Sequence, residues 1–130
     1  MTISVIDTAT DATLALGRRF NEESFQRHDV DALMADMTDD CVFELVAPGE
    51  KGGGRWEGQA AVRSFWESLE TTFPGYASKI DDIFACGERC ACRWTLRWNL
   101  PDGGQGSIRG VDILTVRDGK IAVKLTYFTA

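Results

Sequence analysis

RGVDILTVRDGKIAVKLTYF, residues 109–128, is the stretch whose reading decides the fold. Two runs rich in Val, Ile, Leu, Tyr and Phe flank Arg117-Asp118-Gly119, where glycine supplies the positive φ of a tight reversal. The stretch therefore predicts a β-hairpin with Gly119 left-handed. A three-residue loop sets the expected register: Val116 pairs with Lys120, Leu114 lies opposite Ala122, Asp112 opposite Lys124 and Gly110 opposite Thr126. Side chains alternate along a strand, so an acid and a base meet on an otherwise apolar face. Val111, Ile113, Val123, Leu125 and Tyr127 occupy the other face. A ribbon apolar on both sides must be covered on both. The helices suffice for one cover, and the second is expected from another copy of the chain, a homodimer.

With 130 residues, 44% of them hydrophobic, the chain is expected to form one domain, 1–130, around a single core. A net charge of -6 and a pI near 4.7 argue against sequence-independent nucleic-acid binding, which needs clustered Lys and Arg. No apolar run approaches the roughly 20 residues that span a bilayer, so no membrane partner is expected. MTISVIDTATDA has neither a basic leader nor an apolar core, and the expected location is cytoplasmic. Cys90 and Cys92 would share one strand face about 6.5 to 7 Å apart, near or beyond the limit for a bridge. Free buried thiols are expected for these two and for Cys41 and Cys86.

Residues 7–26 carry Leu14, Leu16, Phe20 and Phe25 among good helix formers, with Asp7, Thr8 or Thr10 as candidate caps. Asp29 is a natural N-cap for a second helix, in which Val30, Leu33, Met34 and Met37 form one stripe. Residues 41–47 alternate as a strand, with Cys41, Phe43 and Leu45 on one face and Val42, Glu44 and Val46 on the other. Residues 48–58 hold Gly49, Gly52, Gly53, Gly54 and Gly58 but no Gly-Lys-Ser/Thr, so they read as a mobile rim rather than a phosphate loop. Residues 59–73 form the clearest helix, its stripe made by Val62, Phe65, Trp66, Leu69 and Phe73. Strands follow at 76–85 and 89–100. In the second, Cys90, Cys92, Trp94, Leu96 and Trp98 alternate with Ala91, Arg93, Thr95 and Arg97. Pro101-Asp102-Gly103-Gly104 then reverses the chain. Helix, helix, strand, helix and an antiparallel meander predict an α+β fold with helices on one side of a curved sheet.

Arg27-His28-Asp29-Val30-Asp31-Ala32-Leu33 leads to Thr38-Asp39-Asp40-Cys41-Val42-Phe43; Trp56-Glu57-Gly58 opens a helix; Arg109-Gly110-Val111-Asp112 precedes Asp118-Gly119-Lys120-Ile121. In order and spacing this resembles the nuclear transport factor 2-like superfamily, in its branch of SnoaL-like polyketide cyclases and ketosteroid isomerases. The resemblance spans nearly the whole chain. It implies a cone-shaped, curved antiparallel β-sheet with three helices packed on its concave face, a deep apolar pocket and a dimer, but no single reaction. By position, the strand aspartate that helps hold the enolate oxygen in ketosteroid isomerases falls on Asp112. The isomerase tyrosine falls on Phe20 or Asn21, and its base falls on Leu45, next to Glu44. The arginine of limonene-epoxide hydrolases falls on Arg93, whereas the two acids of that site fall on Thr95 and Thr126.

The expected catalytic residues are Asp112, Lys124 and Glu44. Asp112 serves as acid/base or oxyanion donor: burial favours its neutral form, and a cation such as Lys124 or Arg93 favours the carboxylate. Glu44 is the second acid, and Arg93, Phe20, Phe65, Trp66 and Thr126 bind substrate. An imine role for Lys124 is set aside, because Asp112 directly opposite would hold its proton. His28 completes no nucleophile system, and the cysteines lack a second pair and a nearby His, so neither metal nor cofactor is expected. The predicted function is a cofactor-independent isomerase, cyclase or lyase acting on a small apolar or carbonyl-containing compound. The alternative is a non-catalytic ligand-binding or assembly module of the same fold, in which Asp112 and Lys124 only set strand register.

Overall fold

The structure, a computed structural model, describes residues 5–48 and 53–129 and places the terminal hairpin inside a six-stranded sheet. The strands are β1 (Met37–Val46), β2 (Gly54–Glu57), β3 (Ala77–Cys86), β4 (Arg89–Asn99), β5 (Gln105–Arg117) and β6 (Lys120–Thr129), in the order β2-β1-β6-β5-β4-β3. Every neighbouring pair is antiparallel except β1 and β6. The sheet is therefore mixed where a purely antiparallel one was expected. No hairpin ties β1 to β6, and the long crossover between them allows either direction.

The hairpin differs from its expected form in a way that matters for the site. Its loop has two residues, not three: Arg117 pairs with Lys120, and both Asp118 and Gly119 have positive φ, 53° and 74°. Continued without interruption, that pairing would set Asp112 opposite Leu125 and turn Lys124 outward. Ala122 prevents this. Val116 pairs with Ile121 but Thr115 with Val123, so Ala122 is an extra residue, a β-bulge, and the strand beyond it changes face. Asp112 consequently lies opposite Thr126, and Leu114 opposite Lys124. Beyond the bulge the expected inward residues Ala122, Lys124 and Thr126 are buried, whereas before it Lys120 is exposed and Ile121 is buried in its place.

The helices cover that inward face. α1 (Val5–Arg18) runs directly into a π-helical turn, Arg19–Ser24, that buries Phe20, Asn21 and Ser24 together. Asp7, Thr8 and Thr10 thus lie within the helix rather than capping it, and Thr10 Oγ1 accepts from Gly87 N at 2.7 Å. A Cβ at Gly17 would stand 2.8 Å from Cys90 Sγ, so the bare glycine lets α1 lie close on β4. α2 (Val30–Ala35) is capped by Asp29, which accepts from Ala32 N at 3.0 Å; it stops before Met37, which already begins β1. α3 (Gln59–Thr72) buries Val62, Trp66 and Leu69.

Part of the expected rim is strand. Gly54–Glu57 pairs with β1, and Arg55 ties the two strands through Glu44 at 2.9 Å while also pairing with Glu57 of its own strand at 2.8 Å. Gly49, Glu50, Lys51 and Gly52 lie outside the described residues. Of the four cysteines, Cys41, Cys90 and Cys92 are buried and Cys86 is exposed, and all are free. Burial, with the charge of Asp112 beside it, pushes the thiols up, to about 11 for Cys90 and about 12 for Cys92.

Two cross-strand pairs shape the inner surface further. Trp94 faces Gly110 and Trp98 faces Gly106. A Cβ at Gly110 would meet the Trp94 ring at 2.5 Å, and one at Gly106 the Trp98 ring at 2.3 Å, so each indole lies across the neighbouring strand in the space a side chain would fill.

Deleting Ala122 removes the bulge but leaves Val116 opposite Ile121, Thr115 opposite Val123 and Asp112 opposite Thr126, so Lys124 and Thr126 stay on the inner face. We expect a loss of only about 1–3 kcal/mol in urea unfolding, from the buried methyl group and the altered strand twist. A deletion variant that no longer folds would refute that reading of Ala122 as the extra residue. Iodoacetamide on the native protein should label Cys86 and leave Cys41, Cys90 and Cys92 intact until denaturant is added.

Candidate functional site

The inner face of the hairpin gathers Asp112, Lys124 and Thr126, with Trp94 supplied by β4. Lys124 is only 5% exposed and Asp112 only 3%. The ammonium nitrogen Nζ lies 3.3 Å from Asp112 Oδ1 and donates to Thr126 Oγ1 at 2.6 Å. Thr126 Oγ1 in turn donates to Asp112 Oδ1 at 2.7 Å, and Trp94 Nε1 donates to the same oxygen at 3.0 Å. Three donors on one oxygen hold Asp112 as an acceptor.

The amine is otherwise surrounded by rings. Its nitrogen stands 4.3 Å from the centroid of Phe43 and 5.2 Å from that of Trp66. Burial dominates its proton affinity and lowers the lysine below its ordinary 10.5, although the Asp112 charge pulls the other way. Among the described residues, Trp66 Nε1 is the one buried side-chain polar atom with no hydrogen-bond partner.

Two cavities meet at this cluster. The larger, about 370 Å³, is walled by Phe43, Trp56, Phe65, Trp66 and Ile108, with Lys124 and Thr126 as its polar groups on the sheet. The smaller, about 50 Å³, is lined by Asn21, Ser78 and Asp112 and shares Phe25, Trp94, Leu96 and Lys124 with the first. Asp112 lines the smaller cavity and not the larger, whose wall its partners Lys124 and Thr126 reach.

Phe65 and Trp66 line the larger cavity, whereas other candidate residues stand elsewhere. Phe20 is fully buried with its ring edge-on to Trp66 at 5.9 Å, a core residue rather than a cavity wall. Glu44 points to the outer face, 37% exposed and paired with Arg55, because alternation on β1 sends Phe43 and Leu45 inward. Arg93 is exposed on the outer face too, in a groove with Asp81, Arg109 and Tyr127, because Cys92 and Trp94 take the inward positions beside it. Trp94 and Ser78 were not anticipated at the site, and Asn21 was named only as one of two positions matching the isomerase tyrosine. For Trp94 a signal existed: Gly110, two residues before Asp112, faces it across the ladder.

Among the described residues, no group of three His, Cys, Asp or Glu side chains is placed to hold a metal ion, and no helix is long and apolar enough to cross a membrane.

Residues 18–124 match the SnoaL-like domain. The chain is 33% identical to an NTF2-like protein of unknown function from Mesorhizobium loti, over 93% of each chain with a TM-score of 0.75. It is 25% identical to a protein described as a polyketide cyclase from Xanthomonas campestris pv. campestris, over 92% of this chain and 91% of the other, at a TM-score of 0.74. TerC, in a structure co-crystallised with polyporic acid, is 22% identical over 90% of this chain and 91% of its own, at 0.75. No curated protein sequence matches the chain significantly.

Lysine burial has a pH signature. Well below its depressed native value, Lys124 is protonated in both folded and unfolded chains, and the native state bears the full cost of the buried cation. As pH rises toward the ordinary value of 10.5, the native state sheds its proton first and that cost disappears. The stability of the parent relative to Lys124→Met should therefore rise with pH across this window. Urea unfolding over a pH series checks the sign, and a flat or falling difference contradicts it.

Proposed function

The chain belongs to the SnoaL-like domain family, and from that membership together with the polar end of its cavity we propose a small-molecule enzyme: a cofactor-independent isomerase, cyclase or lyase acting on a largely apolar carbonyl compound. The observation that carries this reading is an apolar cavity of about 370 Å³ whose wall includes a buried amine backed by a carboxylate. That size falls within the ordinary range of ligand pockets, about 300–1,000 Å³. Co-crystallisation of TerC with polyporic acid supports small-molecule binding by this fold.

Roles follow from the layout. The aromatic wall takes the hydrocarbon body, and the carbonyl oxygen accepts from Lys124 Nζ, beside which Thr126 gives its one hydroxyl proton to Asp112. The ammonium steadies negative charge as it develops on that oxygen, strongly because the surroundings are dry. Asp112 accepts and returns the proton, with the Thr126 hydroxyl as the link at 2.7 Å. Glu44 and Arg93 take no part.

A second copy completes the molecule in this reading. Phe84, Tyr127 and Val46 are 61%, 45% and 38% exposed on the outer face, around the cross-strand row Ala91, Ile113 and Leu125. Such a surface suits a homodimer better than water. The free thiols suit a cytoplasmic location.

Exchange of α-protons into a panel of aryl ketones in D2O, followed by NMR, tests the chemistry. Asp112→Asn should slow exchange by about 100-fold or more while saturable quenching of tryptophan fluorescence by the ketone persists. Equal rates in parent and variant would eliminate Asp112 as the proton acceptor. Light scattering should give a dimer for the parent and a monomer for Leu125→Glu; a parent that stays monomeric removes the second copy.

A further inference from the structure

We propose that Lys124 captures its ligand covalently: its amine, at the inner end of the apolar cavity and joined to Asp112 through the Thr126 hydroxyl, forms an imine with an aldehyde or ketone. This rests on the reading that the cavity admits carbonyl compounds, and it names the bond that holds them.

The geometry provides the proton path that such chemistry requires. The steps from Lys124 Nζ to Thr126 Oγ1 and from there to Asp112 Oδ1 are 2.6 Å and 2.7 Å, both shorter than the direct 3.3 Å contact. A proton passing from the ammonium to the threonine oxygen, as the hydroxyl proton moves to Asp112, leaves a neutral amine and a neutral acid. The ring faces of Phe43 and Trp66 offer the cation less than water would, and its burial already favours the uncharged form.

From that state every atom has a destination. The nitrogen lone pair attacks the carbonyl carbon, and the C–O π electrons move to oxygen. A proton shifts from nitrogen to that oxygen, giving a neutral carbinolamine. Asp112 returns its proton through Thr126 to the hydroxyl, the C–O bond breaks, and water leaves as the nitrogen lone pair closes the C=N bond. The products are a protonated imine beside an ionised carboxylate, plus water, with the same net charge as at the start. The cavity of about 50 Å³ behind Lys124, lined by Asn21, Ser78 and Asp112, has room for that water, since one molecule needs only about 10–15 Å³.

The test uses the full chain with 2-naphthaldehyde and sodium cyanoborohydride at neutral pH, which converts an imine into a stable secondary amine. The chain has four lysines, Lys51, Lys79, Lys120 and Lys124, so peptide mass mapping identifies the labelled residue. We expect a naphthylmethyl group on Lys124 to appear at least about tenfold faster than on Lys79 or Lys120, which stand exposed outside the cavity. Thr126→Val should slow labelling of Lys124 by about tenfold or more relative to labelling of Lys79 and Lys120 in the same chain. Saturable quenching without preferential labelling of Lys124 overturns the imine and leaves the pocket reading standing. Absence of both quenching and preferential labelling overturns the two together. The parent's labelling pattern decides the matter even if the variant fails to fold.

Discussion

Much of this molecule is arranged around one unfavourable burial. The Lys124 amine is withdrawn from water and set against two aromatic faces, with one carboxylate and one hydroxyl for company. The effective penalty for a buried ion is several kcal/mol, and attraction to its counter-ion offsets it only when geometry and hydrogen bonding are both good. Here the direct contact is long at 3.3 Å, and desolvation outweighs the pull of Asp112. Apolar replacements of similar volume are often neutral or stabilising at such sites. Stability therefore gives a poor account of the pair, and its position on a cavity wall gives a better one.

Placing the cluster demands backbone irregularity at several points. A two-residue turn by itself would send Lys124 to the wrong face, and the bulge at Ala122 brings it back. The π-helical turn at Arg19–Ser24 buries Asn21 beside Phe20, adding a polar group to the small cavity near Asp112. Gly17 brings the helix down onto β4, closing the sheet's end away from the larger cavity. Each irregularity favours a particular arrangement of side chains over the most regular local structure.

Alternation made much of this readable from the sequence. The apolar pattern of 109–128 assigns Asp112, Lys124 and Thr126 to one side, and they are together. Their exact pairing was not readable, because a three-residue loop and a two-residue loop with a bulge keep the same residues inward while displacing partners by two. Glu44 and Arg93 teach a different lesson. Alternation alone puts each on the face opposite Phe43 or Trp94, where both are found, whereas chemical type or positional matching to other enzymes suggests the pocket. Phe20 was legible as apolar but not as core rather than cavity wall, since that depends on how the π-helical turn meets Trp66.

The recesses at Gly106 and Gly110 carry a consequence for how such a chain diversifies. Each indole on β4 is seated where its neighbour on β5 has no side chain, so the two positions in a pair are not independent heritable characters. A methyl group added to the glycine evicts the tryptophan; a smaller residue at the tryptophan leaves a void that the glycine cannot fill. Viable lineages should therefore change both partners together, and Trp94 with Gly110 should drift as a single unit of inheritance, carrying the donor to Asp112 with them.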